Sequence, residues 1–150
     1  MLDLLFILSN LVILPFWLAM ILFPRREFTN SLLKSHAALI VLALMYLLVF
    51  LGGFLTSIGQ VYLLNFSSTE LLAQTLTRPS FALVAWLHMI CLDLVGGYWI
   101  YHESEKIGMG VNVMRVCLLF TFLLGPFGIF CFVVWRMLRA SLRDSALAQK

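Results

Sequence analysis

The sequence predicts an all-α integral membrane bundle of four transmembrane helices. Three observations lead there. Hydrophobic residues make up 63% of the 150-residue chain and charged residues only 11%, whereas a soluble domain is nearer half apolar and a quarter charged. A body this small keeps much of its surface exposed, so apolar side chain in that quantity must face lipid. The apolar residues also fall in continuous runs, which argues against the alternating strands of a transmembrane β-barrel. The length leaves room for about four helices of about 20 residues each. The same composition excludes a soluble enzyme, a nucleic-acid-binding module and a disordered chain.

The first run is Leu4–Phe23, read as a span over 4–23. Asp3 precedes it, Pro24-Arg25-Arg26 follows it, and no small-x-small cleavage site lies between. That polarity is the reverse of a secretory signal. No Ser- and Arg-rich transit peptide precedes the run. This favours a bacterial inner membrane, although a processed protein of a photosynthetic membrane would look the same. Pro15 removes a backbone donor and is expected to kink the helix near Leu11.

The second run, Ala37–Phe54, predicts a span over 37–56 with a weak point at Gly52-Gly53, followed by a mixed stretch to Leu64. Within residues 65–79, Ser68 or Thr69 is placed to cap a short helix beginning near Glu70. Leu71, Leu72 and Leu76 give it an apolar side suited to the membrane interface, and Arg78-Pro79 ends it. The third run, Ser80–Tyr101, predicts a span over 80–101. The fourth, Val116–Trp135, predicts one over 116–136, interrupted by Gly125-Pro126-Phe127-Gly128. The chain then divides into a membrane domain, 1–137, and a basic polar tail, 138–150. Arg136, Arg139 and Arg143 share a helix face, which predicts a juxtamembrane basic helix on an anionic lipid surface.

Orientation stays open at this stage. Four spans put both termini on one side. Arg25, Arg26, Lys34, Lys106 and Arg115 then face Arg78, Arg136, Arg139, Arg143 and Lys150 across the membrane, five against five. The first helix favours an outside N-terminus and the basic tail favours the opposite. A fifth or re-entrant segment would remove the conflict, and the Gly-Pro-Phe-Gly break permits one.

The chemistry-bearing residues lie in the third run. His88 and Asp93 are ionisable groups deep in an apolar stretch, where a charge costs about 2.5–3.5 kcal/mol or more, so function is the default reading. Interhelical hydrogen bonding is the competing one. Five residues of helix separate the two groups by about 140°, so each would reach a shared cleft from its own side or find a partner on another helix. Trp86, Asp93, Gly97 and Tyr101 fall near one face. Gly96-Gly97 would let a second backbone or a flat ligand approach closely. Trp99, Tyr98 and Tyr101 read either as binding walls or as an interfacial aromatic belt. His102, Glu103 and Glu105 read as a solvated loop, and with no H-E-x-x-H spacing no metal site is expected. Cys91, Cys117 and Cys131 lie in apolar runs with no CxxC, as free packing thiols do.

Several motifs together resemble the abscisic-acid-deficient-4, or neoxanthin synthase-like, family of small membrane proteins. They are Leu14-Pro15-Phe16-Trp17 with Phe23-Pro24-Arg25, then Trp86-x-His88-x4-Asp93-Leu94-x-Gly96-x2-Trp99-Ile100-Tyr101, then Gly125-Pro126-x-Gly128. The similarity runs from about residue 3 to 137, and the central motif is the most specific. The resemblance implies a four-helix integral membrane protein linked to conversion of violaxanthin to neoxanthin. That reaction is a cofactor-independent isomerisation, in which an acid protonates the epoxide oxygen and a base removes a proton from the polyene carbon beside the ring. His88 and Asp93 are the expected catalytic pair. Burial disfavours the charged form of either, so a neutral Asp93 could serve as acid and a neutral His88 as base, or the reverse. Trp86, Gly96, Gly97, Trp99 and Tyr101 are the expected substrate-binding residues. The expected partners are membrane lipid and a carotenoid or other isoprenoid. The alternative is a non-catalytic membrane subunit packing against a larger membrane-protein complex.

Overall fold

A computed structural model describes residues 1–56 and 68–148, with side chains at all of these except 54, 56 and 143–148. The elements are α1 (Leu2–Leu22), α2 (Glu27–Lys34), α3 (Ala37–Thr56), α4 (Thr69–Leu76), α5 (Pro79–Lys106), α6 (Val111–Leu124) and α7 (Pro126–Ala148). No strand occurs among the described residues. The mixed stretch after the second run, as far as Ser67, and the side chain of Arg143 lie outside the described residues, as does Lys150.

Among the described residues, three helical stretches are long and apolar enough to cross a membrane: Leu2–Leu22, Glu27–Gly53 and Pro79–Lys106. They correspond to the first three expected spans. Their exposed large residues are mostly leucine, with isoleucine, phenylalanine, valine, methionine and Trp99, and Leu48 is as much as 70% exposed, which suits lipid rather than water.

The local chemistry explains most of the boundaries. Ser68 is the N-cap of α4 in an extended conformation, and its Oγ accepts the Leu71 N–H at 3.2 Å. Pro79 opens α5 at the first helical position, where its missing N–H costs nothing. Pro15 lies inside α1 without ending it. Two elements differ from expectation. α2 was not foreseen; it is a short amphipathic helix that buries Thr29 and Leu33. The expected loop at His102-Glu103-Ser104-Glu105 is instead the last turn of α5. Ser104 is buried there and donates to the Tyr101 carbonyl at 2.7 Å, while Lys106 pairs with Glu103 at 3.2 Å. These local bonds let the helix outrun its apolar stretch.

The fourth run departs furthest from a single span over 116–136. It is two helices broken at Gly125, whose φ of +51° favours glycine. Downstream, α7 continues without a break past residue 137 to Ala148.

The chain divides into two compact units, one of Met1–Phe16 with Ser31–Leu92 and one of Trp17–Asn30 with Asp93–Lys150. In the first, Phe6 packs on Trp86 with ring centroids 5.4 Å apart, and Tyr46 packs on Phe50 and on His88. In the second, glycines and one threonine bring α5, α6 and α7 together. Gly96 lies against Ile129 and the Thr121 methyl, and Gly128 against the backbone of Thr121 and Cys117. Small residues of this kind are what close helix packing in lipid requires.

Direction follows from these contacts. Gly96 meets Ile129, Trp99 meets Phe132 and Glu103 meets Arg136. The offset is constant, so α5 and α7 run parallel. Thr121 lies beside Gly96 and Gly125 beside Asp93, so α6 runs antiparallel to α5. Phe120 also packs on Phe127, with centroids 5.2 Å apart. α6 and α7 therefore form a helical hairpin with Gly125-Pro126 at its tip.

Candidate functional site

Asp93 occupies the midpoint of the 28-residue α5. Its carboxylate rests against the Cα side of Gly125 at the hairpin tip, where a Cβ would collide with it. Glycine is thus needed at residue 125 twice over, for the positive φ and for the room that the carboxylate occupies. Asp93 is only partly buried, and among the described residues its oxygens have no hydrogen-bond or ion-pair partner. A carboxylate that served only as interhelical glue would be bonded. This one has no such bond among the described residues.

The hairpin tip interrupts the run of helical hydrogen bonds. The Gly125 N–H donates to the Thr121 carbonyl and the Gly128 N–H to the Gly125 carbonyl. Thr121, fully buried, turns its hydroxyl onto the Cys117 carbonyl at 2.9 Å. Backbone of this kind is tolerated at membrane depth only against protein or a cavity, and Asp93 is what it faces.

The other expected site residues of this unit have definite neighbours. A Cβ on Gly97 would meet Trp17 Cη2 at 2.6 Å, and one on Gly96 would meet Ile129 Cδ1 at 2.7 Å. The room beside these glycines is therefore filled by the protein's own side chains. Trp17, almost fully buried, also packs on Phe122 at 5.4 Å. Trp99 is 40% exposed and meets Phe132 edge-on at 4.9 Å. Tyr101 is buried; its hydroxyl accepts the Arg25 N–H at 2.7 Å and donates to Asn30 Oδ1 at 2.9 Å. It ties the chain after α1 to the end of α5, a structural duty rather than an open binding wall.

Trp86 and His88 belong to the other unit. His88 is exposed beside Tyr46, with ring centroids 6.1 Å apart. The Trp86 ring packs on Phe6, and its indole N–H is buried without a hydrogen-bond partner among the described residues.

Sequence reasoning passed over several residues that shape this region. Arg25 adopts φ of +60°, and its guanidinium donates to the Met109 carbonyl at 2.7 Å. Arg115 donates to the Ile21 and Leu22 carbonyls at 2.8 and 3.2 Å. Thr29 donates to the Phe23 carbonyl at 2.6 Å. Arg115 and Thr29 together satisfy carbonyls at the C-terminus of α1 and just beyond it, which a helix leaves without partners of its own. The signal was present for Arg115, a lone cation at the edge of an apolar run. Tyr101→Phe removes two of the bonds that hold this end together and strands a backbone N–H. Unfolding of the purified protein in detergent should show a loss of about 1–3 kcal/mol, and an unchanged midpoint would contradict the role given to the hydroxyl.

No curated protein and no solved structure matches the chain. A family model does: ABA4-like, described as ABA DEFICIENT 4-like, matches residues 4–132. The match takes in Asp93 and its neighbours on α5, the hairpin tip and Phe132, and agrees with the resemblance read from the motifs. The chain belongs to the ABA DEFICIENT 4-like family.

Proposed function

We propose that this chain is a multi-pass integral membrane protein that binds a carotenoid or related isoprenoid and isomerises an epoxy-xanthophyll by acid–base opening of the epoxide. The observation that carries the reading is the Asp93 carboxylate, without a partner among the described residues, at the midpoint of a membrane-length helix and set against a helix break. Holding such a group in the membrane is costly, and a proton-transfer role accounts for the cost. Likeness to neoxanthin synthase supports the substrate class, and a bacterial inner membrane or a photosynthetic membrane is the corresponding location.

The reaction needs one acid and one base and no cofactor. The acid protonates the epoxide oxygen, and the C–O bond to the ring carbon that bears the polyene breaks. The base takes the proton from the adjoining polyene carbon. The electron pair of that C–H bond forms the second double bond of an allene, and the oxygen stays as a tertiary alcohol. Asp93 carries one of the two roles, as acid or as base. Trp99, 40% exposed on the same helix and in the same unit, offers a flat apolar wall of the kind a polyene packs against.

Purification from a carotenoid-producing host tests the reading. A polyene absorption band should travel with the protein, and violaxanthin supplied in detergent should give an allenic product of unchanged mass. A colourless protein that fails to convert violaxanthin and holds a stable protein partner would overturn it in favour of a non-catalytic subunit of a membrane complex.

A further inference from the structure

The α6–α7 hairpin has a geometry that a fourth membrane crossing would not have. α6 is 14 residues long, about 21 Å at 1.5 Å per residue, against a hydrocarbon core of about 30 Å. Its tip meets Asp93 at the middle of α5, about 20 Å from either end of that helix. Residues 116–135 carry no charge, and Leu123, Leu124 and Phe130 near the tip are each about 60% exposed. A turn that emerged into water would show polar residues instead. From the tip, α7 runs parallel to α5 and reaches Glu103 with Arg136, at 3.3 Å. The chain has come back to the end from which α6 set out.

That end of the unit is basic. Arg25 and Arg26 follow α1, Lys106 ends α5, Arg115 lies in α6, and Arg136 and Arg139 lie where α7 leaves the apolar zone. The acidic residues near them are Glu27, Glu103 and Glu105, and Glu103 is already paired with Lys106 and Arg136. Arg139 lies over the Trp135 ring at 5.2 Å, an arrangement suited to a membrane interface. Beside it Met137, Leu138 and Leu142 are more than 60% exposed. An apolar flank with arginines above it matches the boundary between acyl chains and headgroups.

We infer that α6 and α7 are a re-entrant hairpin, and that the basic collar it completes, Arg25, Arg26, Lys106, Arg115, Arg136 and Arg139, seats on anionic phospholipid headgroups of one leaflet. By the positive-inside rule that leaflet is cytoplasmic. The five-against-five conflict disappears, because the arginines of α7 join those after α1 instead of opposing them. This inference is independent of any carotenoid chemistry.

Two experiments test it on the full-length chain. In sealed membrane vesicles, Asn112→Cys and Ala140→Cys should react with a membrane-impermeant maleimide from the same side, and Asp3→Cys from the other. Labelling of Ala140→Cys from the side opposite Asn112→Cys would restore a fourth crossing and overturn the hairpin topology. If a cysteine variant fails to accumulate, a fluorescent protein fused after Lys150 reads the same point: fluorescence supports a cytoplasmic tail, and a well-expressed dark fusion refutes it. For the lipid, purified protein is mixed at low salt with equal dioleoylphosphatidylglycerol and dioleoylphosphatidylcholine, and the retained lipid is measured. Phosphatidylglycerol should be enriched, and Arg136→Gln and Arg139→Gln should each lower the enrichment by up to about fivefold, the equivalent of about 1 kcal/mol per arginine. High salt should erase it. Equal retention of the two lipids, or enrichment that survives both substitutions, would overturn the docking surface.

Discussion

An Asp93→Asn variant should fold and insert normally yet open an epoxy-xanthophyll at least about 100-fold more slowly. The amide is nearly isosteric, and no hydrogen bond or ion pair is lost, because among the described residues the carboxylate makes none. The contact with Gly125 is a matter of shape, which Asn preserves. What disappears is the ability to give or take a proton, and general acid–base catalysis contributes about 10²–10⁴ in rate. Violaxanthin turnover in detergent, scored beside thermal unfolding of both proteins, separates the outcomes. Full turnover by the variant would remove Asp93 from the reaction. Lost turnover together with a collapsed unfolding midpoint would mark it as a structural group instead.

The largest stability effect is expected at Gly128. A methyl group there would collide with the Thr121 hydroxyl, the Thr121 backbone nitrogen and the Cys117 carbonyl oxygen. Two of those three atoms are helix backbone, which cannot step aside without moving α6. Gly128→Ala should therefore cost about 3 kcal/mol, the upper end for overpacking. Gly96→Ala is the control. Its methyl would meet the far end of the Ile129 side chain, which can change rotamer, so about 1 kcal/mol is expected. Unfolding in the same detergent measures both. Equal losses at the two positions would mean that the hairpin yields more readily than its backbone contacts imply.

Much of the architecture is legible from residue type alone. Continuous apolar runs mark the three membrane-length helices, because burial in lipid depends on composition and length and little on partners. Ser68 announces α4, because a cap is a local device that works within three residues. α2 is harder to read: eight residues carry too little periodicity, and its buried Thr29 acts through the carbonyl of Phe23, six residues back across a turn that the residue types do not announce. The fourth run shows the limit most plainly. Gly125-Pro126-Phe127-Gly128 signals a break, but whether a break kinks one helix or folds two back together depends on what the flanking faces meet. Thr121 and Gly128 settle that through contacts across the turn. At the site, Asp93 stands out by its desolvation cost. The pairing of Asp93 with Gly125 is out of reach, since nothing in either residue names the other. Gly96 and Gly97 show the converse case. Their smallness is evident, but only the fold reveals that Ile129 and Trp17 occupy the space it creates.

The capping of α1 has a consequence for how the chain is made. The last carbonyls of α1 are completed by Arg115, which enters the chain 94 residues after Ile21 and 93 after Leu22. During synthesis α1 enters the membrane long before its closing donor exists. Thr29 of α2 closes the Phe23 carbonyl early, but the carbonyls of Ile21 and Leu22 stay open while α3, α4 and α5 are added and are closed only when α6 arrives. A nascent chain arrested after α5 would carry every membrane-length helix and still display an unfinished helix terminus at the bilayer surface. The order of synthesis thus leaves an exposed mark on incomplete chains, one that a membrane protease or chaperone could use to tell them from finished protein.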